Sequence, residues 1–220
     1  MTSEGHNIQI CGSTAALGTL HRKEEQIRAP LAAVGLRVVV EPIDTNRLGT
    51  FCGLMPRRHP PDTVAVQKAK WAARAASCEW GLGSEGSFFV HPAMPLIPTN
   101  LELVALAHRP SGLVVIGRSQ QLAPWAQKGV DLRAHRCPER QPSIVAAASD
   151  LAARLRQRCP ACDAPGVGKS RTTTGRPCSW CGGPTLELLA IYRACPMCDW
   201  EQVDEVAGAA DPGACPTCNP

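Results

Sequence analysis

Four Cys-x-x-Cys pairs crowd the last third of the chain: Cys159/Cys162, Cys178/Cys181, Cys195/Cys198 and Cys215/Cys218. Zinc prefers four ligands in a closed tetrahedral shell, and a two-residue gap lets both sulfurs of a pair reach one metal from a tight turn. Eight paired thiolates therefore predict two zinc ions, each held by four cysteines. Proline or glycine beside the pairs (Pro160, Pro196, Pro216, Gly182-Gly183) suits turns whose backbone amides must point at sulfur. The competing chemistry is a redox dithiol or a disulfide framework. It is disfavoured because Met1-Thr2-Ser3-Glu4-Gly5-His6 is polar and lacks a basic start with an apolar follow-on, which predicts a cytoplasmic chain with reduced thiols.

Which pairs share a metal stays open. The gaps between pairs one and two and between three and four fit sequential ribbon sites. However, Leu186 to Ala194 reads as a strand, and nine residues at ~3.3 Å each span about 30 Å. Pairs two and three should therefore not share a metal. A cross-brace, one with three and two with four, competes with the sequential arrangement if residues 199–206 run back antiparallel. A closed shell leaves no coordination site for catalysis, so the zinc is read as structural. The basic residues around the knuckles (Arg154, Arg156, Arg158, Lys169, Arg171, Arg176, Arg193) are modest in number, and only acids follow Cys198. A structural or protein-contacting role is favoured over nucleic-acid binding.

Three further segments carry chemistry. Thr19, His21 and Lys23 fall between a strand and a helix, where exposed amides, the helix dipole and an ammonium together favour an anion. Asp44 and Thr50 follow another strand, the usual place for a ligand in an open α/β sheet. Ser84 and Glu85 sit in the run 81–88, where small residues crowd one carboxylate and let a ligand or metal approach. Asp131, Arg133 and His135 add a second metal-capable carboxylate beside a base and an imidazole. Lys68, Lys70 and Arg74 read as a solvated helix face. No Gly-x-Ser-x-Gly, Walker loop or His-Glu-x-x-His occurs, which removes the corresponding hydrolase, NTPase and zinc-protease classes.

The elements positioning these residues follow from periodicity. Asn7 to Gly12 and Leu36 to Val40 predict strands, the second buried on both faces. Ile27, Leu31 and Val34 predict a helix over about 21–34, kinked by Pro30 and stopped at Gly35. Asp62 should cap a helix over 63–77, and Ser143 a final amphipathic helix. Trp80 to Phe89 reads as a strand. Leu101 to His108 and Leu113 to Gly117 form a hairpin turning at Arg109-Pro110-Ser111-Gly112. An α/β domain with a mixed sheet over 1–157, followed by a double zinc-ribbon module over 158–220, is the expected architecture. The 220 residues carry a formal charge of +4, far from the loading of a dedicated nucleic-acid binder, and hold no apolar run of ~20 residues.

Taken in order, these pieces resemble a bacterial family of uncharacterised proteins, domain of unknown function 6671. The resemblance rests on Thr19-x-His21-x-Lys23-Glu24, Leu48-Gly49-Thr50-Phe51-x-Gly53, Lys68-Ala69-Lys70, Gly83-Ser84-Glu85-Gly86-Ser87-Phe88, His91-Pro92 and Glu102. It continues with Arg133-Ala134-His135, the four cysteine pairs, and Asp211-Pro212 ahead of Cys215-x-x-Cys218-Asn219-Pro220. It names no reaction, and the stretch from Arg118 to Lys128 is short where the family would carry another helix or two. A weaker similarity links the first loop, the Lys-rich helix and Gly-x-Glu-Gly to house-cleaning nucleoside-triphosphate pyrophosphatases, although His21 stands where those would have Asn.

Together these readings predict magnesium-dependent hydrolysis of a phosphorylated small molecule or nucleotide. Lys23, Glu85 and Asp131 would act in catalysis, and Thr19, His21, Asp44, Thr50, Ser84, Arg133 and His135 in binding. The alternative is a non-catalytic zinc-ribbon protein contacting protein or RNA partners. No membrane association is expected.

Overall fold

The computed structural model describes residues 8–19, 22–48, 58–91, 94–126 and 132–220. His21, Thr50 and Asp131 lie outside the described residues. The chain divides into two compact units, one ending at Arg156 and one running from Gln157 to Pro220.

The first unit is a mixed five-stranded sheet with three helices. In chain order it holds β1 (Thr14–Gly18), α1 (Glu24–Ala32), β2 (Arg37–Glu41), α2 (Pro61–Ala75), β3 (Trp80–His91), β4 (Met94–His108), β5 (Val114–Leu122) and α3 (Gln141–Arg156). The strand order is β2-β1-β3-β4-β5. β1 pairs in parallel with β2 and β3, whereas β3, β4 and β5 form an antiparallel meander. The parallel pairs need helical crossovers and the meander needs only turns, which puts α1 and α2 in the first half of the unit and leaves α3 to follow the meander.

Register places α2 and α3 on opposite faces. A Cβ on Gly83 would run into the Ala65 carbonyl of α2, and one on Gly117 into the Ala147 carbonyl of α3. Gly117 pairs with Val104, which pairs with Ser84, the pleat neighbour of Gly83. Successive residues of a strand point to opposite faces, so the two helices must flank the sheet. The core is aliphatic: Ala15, Ala16, Leu17, Leu82, Leu103, Leu106, Ile27 and Leu151 are fully buried.

Several elements differ from expectation. The first strand is Thr14–Gly18, not Asn7–Gly12; Ile8 and Ile10 are buried, but Gly12 turns at φ +83° before pairing begins. The real strand, Thr-Ala-Ala-Leu-Gly, is central and covered on both faces, so it needs small residues rather than β-branched ones. β2 is an edge strand, which leaves Val40 partly exposed and overturns the expectation of burial on both faces. α2 starts on Pro60-Pro61 rather than on an Asp62 cap, and Asp62 instead pairs with Arg118 at 2.9 Å. α3 starts at Gln141, so Ser143 lies inside its first turn and donates to Gln121 at 3.2 Å.

The second unit is a three-stranded antiparallel sheet, β6 (Gly168–Thr174), β7 (Leu188–Ala194) and β8 (Glu201–Glu205), with β7 central. Two groups of four cysteines flank it. Among the described residues, no helix is long and apolar enough to cross a membrane.

Candidate functional sites

The cysteines converge as a cross-brace. One quartet is Cys159, Cys162, Cys195 and Cys198; the other is Cys178, Cys181, Cys215 and Cys218. β7 explains the pattern: Cys195 follows its end, while pair two precedes its start, so one strand length separates them. In the first quartet Sγ of Cys159 lies 3.6 Å from Cys198 and Cys162 lies 3.6 Å from Cys195. In the second, Cys178 lies 3.9 Å from Cys218 and Cys181 lies 3.7 Å from Cys215. A tetrahedral metal with metal–sulfur bonds of about 2.3 Å demands sulfur–sulfur edges of about 3.8 Å. The donor sets therefore fit such an ion.

The surroundings favour thiolate at one member of each quartet. Burial opposes the Cys159 thiolate, but the amides of Cys162 and Ala161 and the facing thiols outweigh it and bring its pKa to about 7. The Cys218 amide leads the set that lowers Cys215 to about 6. Burial pushes Cys195 up to about 12, and hydrogen bonding to Cys181 pushes Cys218 to about 12. Four sulfurs this close cannot all ionise unaided, which is the charge problem a bound dication solves. Backbone amides also reach sulfur, from Met197 to Cys195 at 3.3 Å and from Trp180 to Cys178 at 3.4 Å.

Much of the basic charge of this unit is internally paired. Arg158 binds Asp163 at 2.8 Å, Arg171 binds Glu201 at 2.9 Å, Arg193 binds Asp204 at 2.6 Å, and Arg176 binds Glu187. The acids clustered after Cys198 thus face cations of β6 and β7.

In the α/β unit the most unusual environment lies beyond the carboxyl end of β1. Gly18 pairs with Gly83, after which β3 runs on through Ser84, Glu85 and Gly86. Lys23 begins α1 and is buried, with its Nζ 3.4 Å from Glu102 Oε2. Glu102, opposite Gly86, is 1 % exposed. It also accepts Arg140 through Nε and, at 3.2 Å, through Nη2, and Asn100 Nδ2 at 3.1 Å. Arg140 is anchored further by donating to the Leu132 carbonyl at 2.5 Å. Gly86 is required here, because a Cβ would meet the Arg140 guanidinium.

Glu85 points to the other face of the sheet. There it pairs with Lys68 of α2 at 2.5 Å, and Lys68 also reaches the buried Ser84 carbonyl at 3.4 Å. Lys23 and Glu85 thus approach the end of β1 from opposite faces, yet they belong to one electrostatic cluster. Burial brings the Lys23 pKa down to about 8; Glu102 opposes this, Arg140 reinforces it, and Glu85 and Lys68 act with opposite signs. Among the described residues, three cations (Lys23, Lys68, Arg140) and two carboxylates (Glu85, Glu102) make up this cluster.

The remaining expected residues are spread around this cluster. Thr19 is half-buried on the β1–α1 connection. Asp44 is exposed and pairs with Arg47 at 3.7 Å. Arg133 is half-buried and His135 exposed, in the segment whose Leu132 carbonyl Arg140 holds. Among the described residues, only the cysteine quartets bring three or more metal-capable side chains within 4.8 Å. The glycine of Gly83-Ser84-Glu85 accommodates α2. Sequence reasoning missed Arg140 and Asn100 as site residues and read Lys68 as solvated. Glu102 offered a signal, a lone carboxylate in the apolar run Leu101-Glu102-Leu103-Val104.

A family model described as "Domain of unknown function (DUF6671)" matches residues 126–220, less than half of the chain. The chain is similar to that family over α3 and the cysteine-bearing unit. No curated protein and no solved structure matches.

Proposed function

We propose that the cysteine-bearing unit holds two structural zinc ions and that the α/β unit binds and hydrolyses a phosphorylated small molecule at the carboxyl end of β1. Thiolate-only quartets with edges near 3.8 Å suit zinc, and their closed shells leave no place for substrate. Such thiols must stay reduced, in line with a cytoplasmic setting. The internal pairing of the basic residues favours a structural role over RNA binding.

One observation carries the α/β half: the buried, desolvated Lys23 ammonium at the start of α1, beside the carboxyl end of β1. The connections from β1 and β2 leave to opposite faces there, and open α/β sheets take their ligands at such a point. A phosphate would meet the Lys23 amine, receive α1 amides and draw Lys23 towards its ammonium form. Magnesium, when bound, would neutralise the phosphate and supply the attacking hydroxide. Glu85 would have to exchange Lys68 for the metal, and Glu102 would stay with Arg140 as a positioning residue. Asp131, Arg133, His135, Thr19, His21, Asp44, Thr50 and Ser84 complete the proposed surroundings.

The rival is binding without turnover, favoured by the fact that Glu85 and Glu102 already hold cationic partners. Calorimetric titration with nucleoside triphosphates, with and without magnesium, paired with phosphate-release assays, separates the two. Magnesium-dependent release lost in Glu85→Gln is the expected result. Binding without release would leave the binding role alone, and absence of both would contradict the proposal.

A further inference from the structure

At the opposite end of β3 from Glu85, a cavity of about 310 Å³ opens between α2 and the β4–β5 turn. Its floor is the buried pair Ala107 and Leu113, and its walls are Lys70, Arg74, His108 and Arg109. Lys70 and Arg74 stand one turn apart on α2, where like charges repel unless something answers them. Arg109 is held in place by its backbone: its amide donates to the Glu79 carbonyl at 2.8 Å and its Nη1 to the Cys78 carbonyl at 3.3 Å. Among the described residues, none of these three cations has a carboxylate partner.

The wall is also stiff. The His108 ring lies 4.2 Å from that of Trp80, and its Nδ1 is 2.8 Å from Ser111 Oγ. The acid Glu79 is 3.9 Å from His108 Nε2, and its side chain is 73 % exposed. Three unanswered cations around a small apolar-floored cavity form a recess for a compact anion rather than a broad basic surface. The volume lies at the small end of ligand sites.

We propose that this recess is a second anion site that binds a diphosphate group, distinct from the β1 site. The two guanidiniums and the Lys70 ammonium supply charge-assisted donors, and arginine's planar fork suits phosphate oxygens. The test is calorimetric titration of pyrophosphate into the full-length zinc-loaded protein at low salt. Wild type should bind. Arg74→Ala and Arg109→Ala should each weaken binding at the recess about tenfold, as loss of a charge-assisted hydrogen bond implies, and Lys70→Glu/Arg74→Glu should remove the recess component while leaving any β1 component. Because all three side chains are exposed, melting temperatures should not move. The β1 site takes phosphate as well, so the recess variants are also titrated in a Lys23→Met background, where the β1 ammonium is gone: the same losses should appear there, which separates this site from the β1 site. ADP serves as a second titrant: tighter binding attaches the diphosphate to a nucleoside and equal binding indicates a free one, and either result supports the site. No pyrophosphate binding, binding indifferent to Arg74 and Arg109, or absence of the Arg74 and Arg109 effects in the Lys23→Met background would overturn the proposal.

Discussion

Lys23→Met should change how the α/β unit responds to alkali. The Lys23 ammonium is buried and ionises at about 8 in the folded protein, against 10.5 when solvated. Between those values the unfolded chain binds the proton more strongly, so unfolding free energy must rise with pH. The contribution is complete above about 10.5 and is lost as pH falls through about 8. At 1.36 kcal/mol per pH unit, it amounts to roughly 3 kcal/mol. Methionine fills similar volume without a charge, so the variant should lack this rise. Chemical denaturation followed by fluorescence of Trp71, Trp80 and Trp125, from pH 7.5 to 10.5, measures the difference between the two proteins. Other groups, including the free thiols, titrate in both and cancel. Wild type should gain stability relative to the variant as pH increases. Parallel curves would refute the account of Lys23 as a buried, desolvated ammonium.

Two other substitutions probe the scaffold. Glu102→Gln leaves Lys23 and Arg140 facing one another in a buried site and should cost about 3–5 kcal/mol, the range for breaking a buried pair; equilibrium denaturation should show Glu79→Gln, at an exposed carboxylate, to be nearly neutral by comparison. Gly83→Ala drives a methyl into the Ala65 carbonyl of α2, where backbone cannot yield, and should lower stability by about 1–3 kcal/mol or more by thermal melting.

The cysteine chemistry was legible because each pair is a local signal and β7 is long enough to forbid pairs two and three from meeting. The β4–β5 hairpin was legible for the same reason, since its turn residues at 109–112 are contiguous. Strand β1 was not. Central position demands alanine and glycine there, and nothing local announces which strand is central. β2 misled in the opposite sense, because its valines look buried although the strand lies at the sheet edge. Register explains the missed cluster members: Arg140 and Glu102 are separated by the last part of β4, all of β5 and the segment that leads into α3. Only the pairing of Glu102 with Gly86 shows why the guanidinium fits there. The basic residues of β6 and β7 looked available in sequence because their acidic partners lie across a sheet that had not been drawn.

Two cross-braced cysteine quartets, each able to hold one metal ion, define the second unit. Zinc content combined with alkylation mapping of Cys162→Ser tests this arrangement most directly. Wild type should carry two zinc ions, and the variant one. In the variant Cys159, Cys195 and Cys198 should become alkylated together while Cys178, Cys181, Cys215 and Cys218 stay protected, because the ions link the first quartet and the second separately. Exposure of Cys178 and Cys181 in place of Cys195 and Cys198, or a wild-type content near zero or one, would contradict the account.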